Sequence, residues 1–145
     1  MRFFFYGTLI AGSGNPVARA IHAGLRTLGR GEAAGALYAL PDPLGWYPAL
    51  LAGDATVRGV VYEARGAFAA ADLAMLDAYE DCDTRNPAAS LYRRAPLEVR
   101  TGAGTIVSAQ AYFYNQPLPE AAQPIAGGDF RAWLRAGSRQ AYRGI

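Results

Sequence analysis

The chain has 145 residues, 52% of them hydrophobic and 18% charged, which fits one globular domain spanning residues 1–145 and excludes a disordered chain. The formal net charge is +2, and all 14 basic residues are arginines scattered without interleaved aromatics, which argues against a nucleic-acid face. The lone cysteine, Cys82, excludes an intrachain disulfide framework and a cysteine-based zinc site.

Residues 2–6, aromatic from Phe3 to Tyr6, read as a short buried strand. They are too short for the apolar segment of a signal peptide, and no run is long enough to cross a bilayer, so a cytoplasmic protein is expected. A loop rich in Gly, Ser and Asn follows. Pro16 then opens a short helix that runs to about His22 and stops at Gly24. Residues 33–40 form a second strand, ended by Pro41-Asp42-Pro43. Residues 44–50 read as a loop with a brief extended piece, and 56–63 as a strand. In the next segment Phe68, Leu73, Leu76 and Tyr79/Glu80 recur at helical spacing, with Asp72 near the positive end of the macrodipole.

Residues 81–90 form a polar loop. Two alternating runs, 91–100 and 106–114, are joined by Thr101-Gly102-Ala103-Gly104 and read as a hairpin. Residues 116–128 are irregular. Asp129 caps a short helix, and the last few residues fray. Strands, one main helix and further strands indicate an α+β fold with a mostly antiparallel sheet, and so few helices oblige that sheet to curl or close.

Chemistry can sit in two places. At Tyr6-Gly7-Thr8-Leu9 an aromatic strand runs into a glycine turn, and the missing Cβ lets a ligand approach the main chain. Successive N–H groups of such a turn can form an anion nest, although a simple chain reversal explains Gly7 equally well. The turn lacks the Gly-Lys-Ser/Thr of a P-loop. The second place is Glu80, at the C-terminal end of the main helix and on the same face as Leu76. The negative end of the macrodipole opposes its ionisation and pushes its pKa toward the range of a general base. The plain alternative is a solvated carboxylate beyond the last helical turn. Asp77, Asp81 and Asp83 read as solvated, His22 as structural and Cys82 as a small apolar filler. Tyr112 and Tyr114 share one strand face, with Phe113 on the other.

Several motifs together resemble the γ-glutamylcyclotransferase-like proteins, the AIG2-like group related to γ-glutamylamine cyclotransferases. They are Tyr6-Gly7-Thr8-Leu9 after the first strand, Gly45-Trp46-Tyr47-Pro48-Ala49-Leu50, and Gly59-Val60-Val61-Tyr62. Leu76-Asp77-Ala78-Tyr79-Glu80 and the strand starting Leu91-Tyr92-Arg93 complete the series, in the family's order. The loops 81–90 and 116–128 depart from the pattern. The resemblance implies a small, mixed but mostly antiparallel closed β-barrel flanked by helices, with a pocket at one mouth. It implies a cyclotransferase that turns a γ-glutamyl amide into 5-oxoproline and a free amine or amino acid. Glu80 would be catalytic, and Tyr6, Gly7, Thr8, Leu9, Tyr47, Pro48, Tyr92 and Tyr112 would bind substrate. No cofactor, metal, nucleic acid or membrane is expected. The alternatives are a non-catalytic small-molecule-binding or regulatory protein on the same fold, and a biosynthetic enzyme removing a γ-glutamyl protecting group.

Overall fold

The computed structural model describes residues 1–142. Its framework is a long antiparallel pair, β2 (Leu25–Leu40) and β3 (Tyr47–Ala64), paired from Leu25↔Ala64 to Leu40↔Tyr47 with register shifts between Thr27 and Gly29 and between Gly35 and Ala36. The first strand, β1 (Arg2–Phe5), lies antiparallel to β3, with Phe3 opposite Tyr62. The hairpin β4 (Tyr92–Thr101) and β5 (Ile106–Tyr114) pairs from Tyr92↔Tyr114 to Arg100↔Ile106. β5 runs parallel to β1, and β4 meets β2 at Gly31↔Thr101, so the order β3-β1-β5-β4-β2 returns to β3 and closes a five-stranded barrel. A short β6 (Gln123–Pro124) extends the sheet on the far half of β2. Three helices flank the barrel: α1 (Pro16–His22), α2 (Ala70–Tyr79) and α3 (Phe130–Ala136).

Alternation along β1 splits the core into two clusters. Phe4 and Tyr6 join Leu37, Leu50, Val57, Val61, Val99 and Ala111, and Phe130 of α3 packs on the same cluster. Phe3 and Phe5 point the other way, to Ile21 of α1, Leu76 of α2, Tyr62 and Tyr112. Tyr112 belongs to this second cluster and Tyr114 packs against it, whereas Phe113 packs on the first, as period-two alternation requires. The aromatic side chains Phe3, Phe4 and Phe5 are each no more than 2% exposed, and burying one contributes about 1.5–3 kcal/mol.

The short helices and the hairpin lie where the spacing places them, while β2 and β3 are longer than expected. β2 begins at Leu25, eight residues before the expected start at Ala33. Gly29 and Gly31 serve the strand. Gly29 sits at a register shift with φ of +121°, and a Cβ on Gly31 would come within 2.5 Å of Val99 Cγ1. β3 includes Pro48, which is tolerated at the start of the strand, and Gly53, which lies in the stretch 52–54 that bulges out between the Gly35↔Ala55 and Ala36↔Leu51 pairs. The irregular stretch 116–128 contains β6.

The C-terminal segment is tied down as far as it is described. Trp46 N–H donates to the Gln140 carbonyl (2.9 Å), and Tyr142 N–H to the Trp46 carbonyl (2.6 Å). The expectation of fraying falls largely on residues 143–145, outside the described residues.

Candidate active site

Local backbone chemistry fixes the end of α2. Glu80 is its C-cap, and Asp81 follows with φ of +49°. Asp81 N–H donates to the Ala78 carbonyl (3.2 Å) and Cys82 N–H to the Asp77 carbonyl (2.8 Å). This is the paired bonding of a Schellman motif, with aspartate in the left-handed position usually held by glycine. It stops the helix one residue after Tyr79 and sets the direction in which Glu80 leaves the chain.

Glu80 lines a cavity of about 160 Å³. Some solvent reaches it there, but protein atoms crowd it closely. Burial alone raises its pKa from 4.5 to about 8, with no cation or donor offsetting that cost. Glu80 is therefore largely protonated at neutral pH.

The opposite wall is the turn after β1. Phe5, Tyr6, Gly7, Thr8 and Leu9 all line the same cavity. Within the turn, Ile10 N–H donates to the Gly7 carbonyl (3.2 Å), and Ser13 Oγ donates to the Thr8 carbonyl (2.7 Å). Among the described residues no acceptor engages the N–H groups of Gly7, Thr8 or Leu9. Three successive unpaired donors in a buried turn invite an anionic group. Gly7 has a further reason to be glycine: a Cβ there would come within 2.3 Å of the Pro48 ring, so its bare face packs on protein.

Tyr79 ties the turn to the helix end. Its hydroxyl lies 2.9 Å from Thr8 Oγ1 and accepts from Asn15 Nδ2 at 2.8 Å. Burial raises its pKa to about 12, so it remains a neutral phenol. Asn15 also caps α1, its Oδ1 accepting from Val17 N–H (2.9 Å) and Ala18 N–H (3.2 Å). A single amide side chain thus joins the glycine turn, α1 and α2.

Tyrosines and Pro48 form the remaining wall. Tyr92, 4% exposed, donates to the Pro48 carbonyl (2.6 Å) and holds that strand against Gly7. Tyr6 donates to the Tyr112 carbonyl. Tyr112 donates to Asp77 Oδ1 (2.7 Å), and Asp77 also takes a two-pronged ion pair from Arg94, at 2.9 and 3.3 Å. Burial raises the pKa of Tyr6, Tyr92 and Tyr112, so all three stay protonated. Tyr47 stands at the edge with its ring against Tyr142.

All nine residues singled out in the sequence line this one cavity: Tyr6, Gly7, Thr8, Leu9, Tyr47, Pro48, Glu80, Tyr92 and Tyr112. Sequence reading missed Phe4, Phe5, Asp42, Tyr79, Leu91 and Tyr142 as cavity residues. Tyr79 adjoins Glu80 and carried a signal, whereas Asp42 read only as a strand terminator and Tyr142 as part of a frayed tail. Asp77 corrects an expectation: it is a half-buried anchor for Arg94 and Tyr112, not a solvated carboxylate. His22 is structural, as expected. Its Nε2 donates to the Leu9 carbonyl (2.7 Å) and its ring packs on Tyr62 and Phe5. Among the described residues no group of His, Cys, Asp and Glu could hold a metal ion. No helix among them is long and apolar enough to cross a membrane.

The cavity lining holds two carboxylates, Glu80 and Asp42, and no cationic side chain. An anionic ligand group can therefore be held by main-chain N–H groups and by hydroxyls of the lining, such as that of Tyr47, while a ligand ammonium meets a carboxyl.

The family profile described as “Gamma-glutamyl cyclotransferase, AIG2-like” matches residues 3–132. No curated protein matches the chain in sequence. Among solved structures, uncharacterized protein PH0828 from Pyrococcus horikoshii superposes with a TM-score of 0.63 at 20% identity, covering 95% of this chain and 96% of that one. Protein ytfP from Escherichia coli gives a TM-score of 0.57 at 28% identity over 90% and 96% of the two chains. A structure titled gamma-glutamyl cyclotransferase gives 0.56 at 17% identity over 86% and 70%. Longer chains contain the fold too, and this chain spans 42% of one and 21% of another. The five-stranded mixed barrel with its three helices is the fold of these neighbours.

Proposed function

The chain belongs to the gamma-glutamyl cyclotransferase, AIG2-like family, and we propose that it cleaves a γ-glutamyl amide by ring closure, with Glu80 as the single acid–base group. Substrate enters with its α-carboxylate on the N–H groups of Gly7, Thr8 and Leu9. Its α-ammonium then faces Glu80. The ionised carboxyl takes one proton from the ammonium, and the freed amine attacks the γ-carbonyl carbon. The new N–C bond closes the five-membered lactam as the original amide C–N bond breaks and the proton held by Glu80 passes to the departing nitrogen; the surplus proton of the ring nitrogen then passes through Glu80 to the released amine, which leaves as an ammonium. The products are 5-oxoproline and a free amine or amino acid, and no water is consumed. Because nucleophile and electrophile share one chain, the protein's main contribution is to hold that chain bent. The walls of Tyr6, Tyr47, Pro48, Tyr92 and Tyr112 suit this task.

The observation that carries this reading is that one cavity is lined both by a carboxyl with pKa near 8 and by a turn with three unpaired N–H groups. A base with a pKa near the working pH transfers protons efficiently in both directions.

The test is a panel of γ-glutamyl peptides and γ-glutamylamines assayed for 5-oxoproline. The parent chain turns over at least one of them, with kcat/KM rising with pH up to about 8. Glu80→Gln loses about 10²–10⁴-fold in kcat while still binding substrate. Normal turnover by Glu80→Gln, or no 5-oxoproline from any compound, overturns the proposal.

A further inference from the structure

A second cavity, of about 530 Å³, lies between the middle of β2 and β3, the β4–β5 turn and α3. Five arginines line it: Arg30 from β2, Arg58 from β3, Arg100 from β4, and Arg131 and Arg135 from α3. Only two carboxylates share the lining, and both are occupied. Glu32 pairs with Arg58 at 2.6 Å, and Asp129 accepts from Ala132 N–H at 3.0 Å as the cap of α3. Among the described residues Arg30, Arg100, Arg131 and Arg135 have no ion-pair partner. The lining thus carries more positive charge than the +2 of the entire chain.

Like charges gathered around one concavity raise the local potential and concentrate anions. The guanidinium fork grips phosphate oxygens in pairs, and four elements supply forks from different directions. The cavity also falls within the volume range of small-molecule sites, roughly 300–1,000 Å³. At the rim, Gly102 and Gly104 have open space where a Cβ would stand, which exposes the main chain of the β4–β5 turn.

We propose that this cavity binds a compact polyanion of phosphate chemistry, at a site separate from the Glu80 cavity. Tyr6 lines both cavities, but the proposal does not depend on the cyclotransferase reading, because none of its arginines lines the Glu80 cavity.

The probe is sodium tripolyphosphate, titrated calorimetrically into the intact chain at low salt. One saturable site is expected, weakening as salt is raised. Arg100→Ala combined with Arg131→Ala should weaken binding at least tenfold, and the conservative pair Arg100→Gln with Arg131→Gln should do likewise with the circular dichroism spectrum unchanged. Independently of any variant, the Gly102 and Gly104 amide resonances should shift on titration. Absence of saturable binding, or equal binding by parent and both paired variants, overturns the proposal. Tighter binding of single-stranded oligonucleotides, with affinity growing with their length, would also overturn it in favour of a polymer surface.

Discussion

At the residue scale, Glu80 bears the cost of its position. Its pKa is 4.5 in an ordinary environment and about 8 here, so the folded chain holds a proton that the unfolded chain has lost throughout that interval. The sign follows from linkage. Stability is full below about pH 4.5, declines as pH rises through the interval, and is lowest above 8. Glu80→Gln removes the titration. Its melting temperature should match that of the parent near pH 4 and exceed it at pH 9 by about 3–10 °C, corresponding to about 1–3 kcal/mol after allowing for solvent in the cavity. A gap no larger at pH 9 than at pH 4 would contradict the buried, protonated carboxyl. The contrast with Asp77 explains what a sequence can reveal. Glu80 was legible because its helix and neighbouring apolar position are local. Asp77 was not, because its partners Arg94 and Tyr112 lie 17 and 35 residues further on and meet it only through barrel closure.

At the element scale, Asn15 and Tyr79 form the joint between two helices and the glycine turn. The first is a helix cap, worth about 1 kcal/mol, and the pair between them is a buried hydrogen bond of similar size. Asn15→Ala should therefore destabilise by about 2 kcal/mol and Tyr79→Phe by about 1. Their double-mutant cycle should give a coupling of about 0.5–1.5 kcal/mol in denaturant unfolding. Strict additivity would mean that the joint contributes nothing. Elements defined by their own termini were readable: Pro16 opens α1, Asp129 caps α3, and a glycine-bearing turn closes the β4–β5 hairpin. Elements defined by partners were not. The first half of β2 contains Gly29 and Gly31 amid charged residues, and only the bulge against β3 and the Val99 side chain make glycine the right residue there.

At the scale of the whole molecule, closure depends on β1 lying between β3 and β5. Phe3 pairs with Tyr62 on one side and Gln110 on the other. Pairings so distant in sequence are characteristic of slow folders, and refolding is expected on a millisecond-to-second scale. Stopped-flow fluorescence would follow it, since Trp46 and Trp133 come together with ring centroids 5.0 Å apart only once α3 docks near the start of β3. Microsecond refolding would contradict a closure-limited process. The parallel β1–β5 pair has one more consequence, during synthesis. At about 5–20 residues per second the ribosome needs roughly five to twenty seconds to deliver the second neighbour of β1. For that interval a run of four aromatics, Phe3-Phe4-Phe5-Tyr6, is without half its shelter, so the yield of soluble protein in a cell is governed by how fast translation outruns self-association of nascent chains.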